Sequence, residues 1–123
     1  MVDPRRLDPP ADLEYAQALL DVLVDRQASD VVLLDLTQLT TFADYFIIAT
    51  VDNIRQARAV EDALGDAAAK RGHKTKIEGV PEDGWLLVDA ADGVFVHLFS
   101  LEARVYYDLE GLWHRAQEIV RVQ

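Results

Sequence analysis

Asp30-Val31-Val32-Leu33-Leu34-Asp35-Leu36 and, after a polar connection over 37–43, Asp44-Tyr45-Phe46-Ile47-Ile48-Ala49-Thr50-Val51 decide the fold. Each is a continuous apolar run rich in β-branched residues and opened by an aspartate. A strand with one wet face alternates apolar and polar residues; an unbroken run of this length reads as a strand covered on both faces. Two such strands need a layer on each side, and the flanking sequence supplies helices for it. Upstream, Leu13, Ala16, Leu20, Leu23 and Val24 recur at helical spacing through about Arg26, with Asp8-Pro9-Pro10 as the start signal. Residues 1–10 hold three of the four prolines and read as a flexible arm ahead of a domain over 11–123.

Downstream, Asp52 or Asn53 can cap a helix whose core stripe is Ala57, Val60, Leu64 and Ala68, ended by Gly72. Residues 73–77 carry Lys74 and Lys76 and read as a short edge strand, where lysines discourage unwanted pairing. Residues 80–84 form a loop. Residues 85–89 and 94–99, joined by Ala90-Ala91-Asp92-Gly93, have the spacing of an antiparallel hairpin. Ser100 opens a last helix, whose spacing puts Leu101, Val105, Leu109, Leu112 and Ala116 on its buried face. The expected fold is α/β: a single domain with a mixed five-stranded sheet and flanking helices, in the order α-β-β-α-β-β-β-α.

Composition narrows the function classes. Half of the 123 residues are apolar, enough for a core without a staple. The chain has no cysteine, which excludes a disulfide framework, a thiolate zinc site and a cysteine nucleophile. The N-terminal stretch has no signal-peptide core and no apolar run is long enough to span a membrane, so a soluble, cytoplasmic protein without membrane contact is expected. The net charge is −10, from 22 acids against 12 bases. A surface of that sign is repelled by phosphate backbone, so direct nucleic-acid binding is not expected. It suits a basic protein partner; the alternative is that the charge serves solubility alone.

Catalytic motifs are absent. The sequence holds no P-loop, no Gly-x-Gly-x-x-Gly after either apolar strand and no Gly-x-Ser-x-Gly elbow. His73, His97 and His114 have no metal-ligand spacing, so no metal or other cofactor is expected. His97, inside an apolar strand, reads as a hydrogen-bonded core histidine ahead of a general base, and His73 as a helix-end residue favourable with the dipole. Asp35 and Asp44 flank one strand connection and are the one pair that suggests a divalent ion. They lack a Gly-Ser phosphate turn and a close Asp-x-Asp pair, and turn capping explains them more cheaply.

The aromatic residues say more. At about 100° per residue Tyr107 points almost opposite the stripe from Leu101 to Leu112, with Arg104 near it and Asp108 beside the core face. An exposed Tyr beside an Arg and an acid has the composition of a protein-binding hot spot; the alternative is that Tyr107 packs on a loop or a neighbouring subunit. Alternation puts Trp85, Leu87 and Asp89 on one strand face and Leu86 and Val88 on the other. Trp85 is then either a partly exposed anchor or a core residue.

These residues also form an ordered set. Asp44-Tyr45-Phe46-Ile47-Ile48-Ala49-Thr50 followed by Arg55-Gln56 and Ala59, then Glu78-Gly79, Gly84-Trp85, Asp89 and Val96-His97-Leu98-Phe99, then Arg104-x-Tyr106-Tyr107-x-Leu109-Glu110-x-Leu112-Trp113, resemble the signatures of the ribosome silencing factor family, RsfS/Iojap. The match runs from about Leu13 to Trp113. The resemblance implies a nucleotidyltransferase-like fold that lacks the catalytic carboxylates, hence no enzyme activity. It implies binding to the fourteenth protein of the large ribosomal subunit. The small subunit is then sterically kept from joining, and translation is repressed under nutrient limitation. It implies a homodimer, and a contact surface of Trp85, Tyr107 and Asp108 with Arg104 and Leu87 nearby. The alternative is a degenerate nucleotidyltransferase-like enzyme that binds nucleotide and Mg²⁺ through Asp35 and Asp44. The chain departs from the family pattern at Val51, where a glycine is usual, and in the turn Ala90-Ala91-Asp92-Gly93, which is shorter in many members. A valine does not take a positive φ cheaply, so a different turn into the following helix is expected.

Overall fold

The computed structural model describes residues 11–123; the expected arm over 1–10 and the Asp8-Pro9-Pro10 start signal lie outside the described residues. Helix α1 (Ala11–Asp25) leads into strands β1 (Ser29–Asp35) and β2 (Tyr45–Thr50). Then come helix α2 (Ile54–Ala69), strand β3 (Lys76–Glu78), a 3-10 turn (Pro81–Asp83) and the hairpin β4 (Trp85–Asp89) and β5 (Val94–Phe99). Two short helices, α3 (Leu101–Tyr107) and α4 (Leu109–Leu112), precede strand β6 (Gln117–Val122). The sheet order is β3-β4-β5-β2-β1-β6. The β2–β5 pair is parallel and its neighbours antiparallel, so the sheet is mixed. The two apolar runs are neighbouring interior strands, β2 central and β1 flanked by β2 and the edge strand β6, and the lysine-bearing β3 forms the other edge.

Alternation along the strands divides the core. Val31, Leu33, Tyr45, Ile47, Ala49, Leu86, Val88, Val94, Val96 and Leu98 point to one side, where α1 and α2 cover them. From α2 come Ala57, Val60, Leu64 and Ala68, the stripe read from the spacing. From α1 come Tyr15, Ala16, Leu19, Leu20 and Leu23. Val32, Leu34, Phe46, Ile48 and Phe99 point to the other side, which among the described residues the 36–43 connection, α3, α4 and the chain around Trp113 cover. One sheet face therefore lies under two long helices and the other under a thin, aromatic layer.

The turn into α2 is built without a left-handed residue at Val51. Its amide donates to the Phe99 carbonyl at 2.8 Å, extending the β2–β5 pairing. Asn53, in extended backbone (φ −160°), then caps the helix by accepting from the Gln56 amide. The 90–93 turn takes left-handed backbone at Ala91, Asp92 and Gly93, with φ of 72°, 54° and 77°. Asp89 steadies it by accepting from the Ala91 amide. His73, expected to serve the α2 dipole, instead pairs with Asp92 at 2.9 Å and packs against Tyr15.

The C-terminal region differs from expectation in three linked ways. The sheet has six strands, not five, because residues 117–122 pair antiparallel with β1. The last helix is broken: Asp108 takes left-handed backbone (φ 46°, ψ 52°), ends α3 by donating to the Arg104 carbonyl, and caps α4 by accepting from the Gly111 amide. Aspartate tolerates this conformation because its short side chain bonds locally. The helix is also turned the other way round. Leu101, Val105 and Leu112, expected in the core, are exposed, while Ala103 and Arg104 face inward; Leu109 and Ala116 pack against the core layer as expected. The helical spacing is real, but the inward face is chosen by Arg104, whose partners lie under the helix.

Gly79 enables a close approach next to Trp85. Its φ is +84°, and a Cβ there would lie 2.6 Å from the Trp85 carbonyl oxygen. Gly79→Ala is expected to lower unfolding free energy by about 2 kcal/mol, from left-handed backbone and crowding together. Chemical denaturation measures it.

Candidate protein-binding face

Trp85 opens β4 on the thinly covered side of the sheet. Its indole N–H donates to His97 Nδ1 at 3.1 Å. Its ring packs on Phe99 (centroids 5.1 Å apart) and on Tyr107 (4.7 Å). Tyr107 in turn meets Tyr106 edge to face at 5.0 Å. Trp85 is half-buried and Tyr107 is 48% exposed, so both rings are held by aromatic neighbours and still reach the surface. Both readings of Trp85 thus hold in part: it is seated in the core layer and still reaches the surface, the geometry of an anchor with fixed orientation. Leu87 shares its strand face and is half-buried, while Leu86 and Val88 are buried on the opposite face, as alternation requires. Asp108 is exposed at the junction of α3 and α4.

His97 lies beneath Trp85 and is buried. Because Nδ1 accepts from the indole, the ring proton is assigned to Nε2, which finds no acceptor among the described residues. Burial pushes the His97 pKa down to about 4, so it is neutral at pH 7. It packs edge to face against Phe46, which also touches Phe95 and Trp113, and Trp113 meets Phe42. His97 is a core histidine that orients a surface tryptophan.

Arg104, expected on the contact surface near Tyr107, is 7% exposed and turned inward. Nη1 donates to the Asp30 carbonyl at 2.7 Å and to Thr50 Oγ1 at 2.9 Å, and Nε donates to Glu110 at 2.8 Å. Arg121 on β6 closes the ring by pairing with Asp30 at 2.6 Å, Glu110 at 3.0 Å and Glu118 at 2.9 Å. Burial alone would raise the Glu110 carboxyl, but hydrogen bonds from Arg104 and Arg121 hold it below its ordinary pKa. Arg104 thus ties α3, β1, β2 and α4 into one unit and fixes the turn that carries Tyr107 and Asp108. Nothing in the sequence neighbourhood marks this, because Asp30 and Thr50 come from distant segments.

Asp35 accepts from the Thr37 amide at 2.8 Å and from its hydroxyl, a local turn cap. The Asp44 backbone donates to Gly93 and accepts from Leu36, and its carboxylate lies where a Gly93 side chain would be. Among the described residues no three His, Asp or Glu side chains gather as a metal site requires.

Fold and site together define a small α/β domain with an aromatic face seated on its sheet. The family model for the ribosomal silencing factor during starvation matches residues 9–123. The chain is 38% identical to ribosomal silencing factor RsfS of Zymomonas mobilis over 112 residues, covering 89% of this chain and 84% of that one. It is 38% identical to RsfS of Bacillus subtilis, covering 82% and 83%. The chloroplastic protein Iojap of Arabidopsis thaliana is 32% identical over 91% of this chain and 47% of its own length. A crystal structure of a Chromobacterium violaceum protein superposes with a TM-score of 0.76 at 33% identity, covering 83% of this chain and 85% of that one. The chain belongs to the ribosomal silencing factor (RsfS) family.

Proposed function

We propose that this chain represses translation by binding the fourteenth protein of the large ribosomal subunit and obstructing the small subunit, with Trp85, Leu87, Tyr107 and Asp108 at the contact. The observation that carries this reading is the Trp85–Tyr107 pair: two rings in tilted contact at 4.7 Å, both packed on Phe99 and both reaching the surface. Rigid, half-seated aromatics concentrate binding energy, because little side-chain entropy is lost on contact. The net charge of −10 supports a basic partner. Arg104 acts from beneath, holding the turn on which Tyr107 and Asp108 sit. Steric obstruction needs no chemistry and no cofactor, and it works for a monomer or a homodimer alike. In this reading the nucleotidyltransferase-like ancestry survives as fold only, with Asp35 spent on its turn.

Trp85→Ala and Tyr107→Ala are each expected to weaken binding to large subunits by about 2 kcal/mol, roughly thirty-fold, while the fold is kept. Co-sedimentation with purified large subunits measures it. Two variants that pellet as well as the parent would place the contact elsewhere.

A further inference from the structure

The stripe expected in the core and found outside is the largest unexplained feature of the surface. Leu101, Val105, Tyr106 and Leu112 are 68%, 73%, 80% and 72% exposed. Scattered exposed apolar residues are ordinary, but Leu101, Val105 and Tyr106 crowd two turns of α3, a concentration of the kind that marks interfaces. Leu101 and Val105 stand one turn apart on α3, and Tyr106 touches Tyr107. The stripe is therefore continuous with the Trp85–Tyr107 face.

A cleft lies on each side of α3. One, of about 640 Å³, runs between Tyr106, Tyr107 and Trp85 on one wall and the starts of α2 and the 3-10 turn on the other. Among the described residues it is lined by Asp52, Glu82, Asp83 and Glu102 and by no lysine or arginine, with Arg58 pairing to Glu82 at 3.5 Å from outside it. The second, of about 610 Å³, lies along Leu101 and Val105 and is lined by Asp30, Asp52, Asp108 and Glu110. Asp30 and Glu110 are matched by Arg104 and Arg121, which leaves Asp52 and Asp108 as its added charge. The crest of α3 is thus apolar and its two flanks are acidic.

We infer that the Leu101–Val105–Tyr106 crest is part of the contact with the ribosomal protein partner, which meets it with an apolar groove between basic rims. This rests on the function proposed above and extends its contact surface. Size requires an extension. A specific interface covers about 800 Å² per partner. Two aromatic rings, each about 150–250 Å² when fully exposed and here partly covered, fall well short. Leu101, Val105 and Tyr106 add three more exposed side chains, set around Glu102 on the adjoining helix. Charge selects the occupant: a second copy docking crest to crest would set acidic flanks against acidic flanks, whereas a basic partner gains on both sides.

The test compares the parent, Leu101→Ser/Val105→Ser, Glu102→Lys and Trp85→Ala in binding to purified large subunits at two salt concentrations, with circular dichroism and sedimentation of each chain alone. The double variant changes only exposed side chains and is expected to keep the parent's melting temperature. Its affinity is expected to fall ten-fold or more. Glu102→Lys is expected to slow association and to flatten its salt dependence. If the double variant binds as the parent does while Trp85→Ala does not, the crest is not a contact and the function proposed above stands. If the double variant alters only the oligomeric state, the crest is a self-association face and the inference is overturned. Failure of the parent itself to bind overturns both.

Discussion

Arg104→Met is expected to lower the free energy of unfolding by about 3 kcal/mol, measured by chemical denaturation at neutral pH. Removing one member of a buried ionic network leaves its partners without compensation, at a cost of about 3–5 kcal/mol. The lower end applies here, since Asp30 and Glu110 are partly exposed and keep Arg121. What remains unanswered are the Asp30 carbonyl and the Thr50 hydroxyl, which lose their donor. Arg104→Lys is expected to restore less than half of the loss, because an ammonium does not span three acceptors as the guanidinium fork does. Loss of ribosome binding should accompany the stability loss, since the Arg104–Glu110 hydrogen bond ties α3 to α4 across the turn that carries Asp108. A side chain used only for partner contact would behave otherwise: Arg104→Met would then change stability by less than about 0.5 kcal/mol.

The second large effect is acid destabilisation through His97. Its folded pKa is about 4, against 6.5 for the free side chain. Between these values the unfolded chain binds the proton and the folded chain does not, so stability rises with pH across this window and is lost as pH falls through it. The full shift corresponds to a loss on the order of 3 kcal/mol, most of it incurred by pH 4.5. Carboxylates also titrate in the lower part of this range, so the informative quantity is the difference between the parent and His97→Gln. The glutamine carbonyl can still accept from the Trp85 indole but takes up no proton. The parent should lose about 2–3 kcal/mol more than His97→Gln between pH 7 and pH 4.5. Parallel stability curves would show that His97 is not held neutral by burial.

The fold was legible where one periodicity sufficed. The two unbroken apolar runs became neighbouring interior strands, and the Ala57-Val60-Leu64-Ala68 stripe became the buried face of α2. The 85–99 hairpin formed with the expected antiparallel pairing. The C-terminal region was misread because helical spacing fixes which residues share a face but not which way that face turns. Leu101 and Val105 do share one; the inward direction was taken by Arg104, and its partners Asp30 and Thr50 lie more than fifty residues away. Strand β6 was hidden by extending the helix to Ala116, although Ile119, Val120 and Val122 are β-branched and include the alternation a strand requires. At the site, alternation separated Trp85 and Leu87 from Leu86 and Val88 correctly. The seating of the indole on His97 needed a cross-strand contact that spacing along one strand does not reveal.

Subunit joining tests the central claim most directly. Purified small and large subunits are mixed at a magnesium concentration that favours association, with and without a prior incubation of the large subunits with this chain, and light scattering follows the rise as they join. Pre-incubation with the parent is expected to reduce the amplitude in proportion to the fraction of large subunits occupied, with Tyr107→Ala doing so only at much higher concentration. Full-amplitude joining by large subunits that demonstrably carry the bound chain would contradict the account.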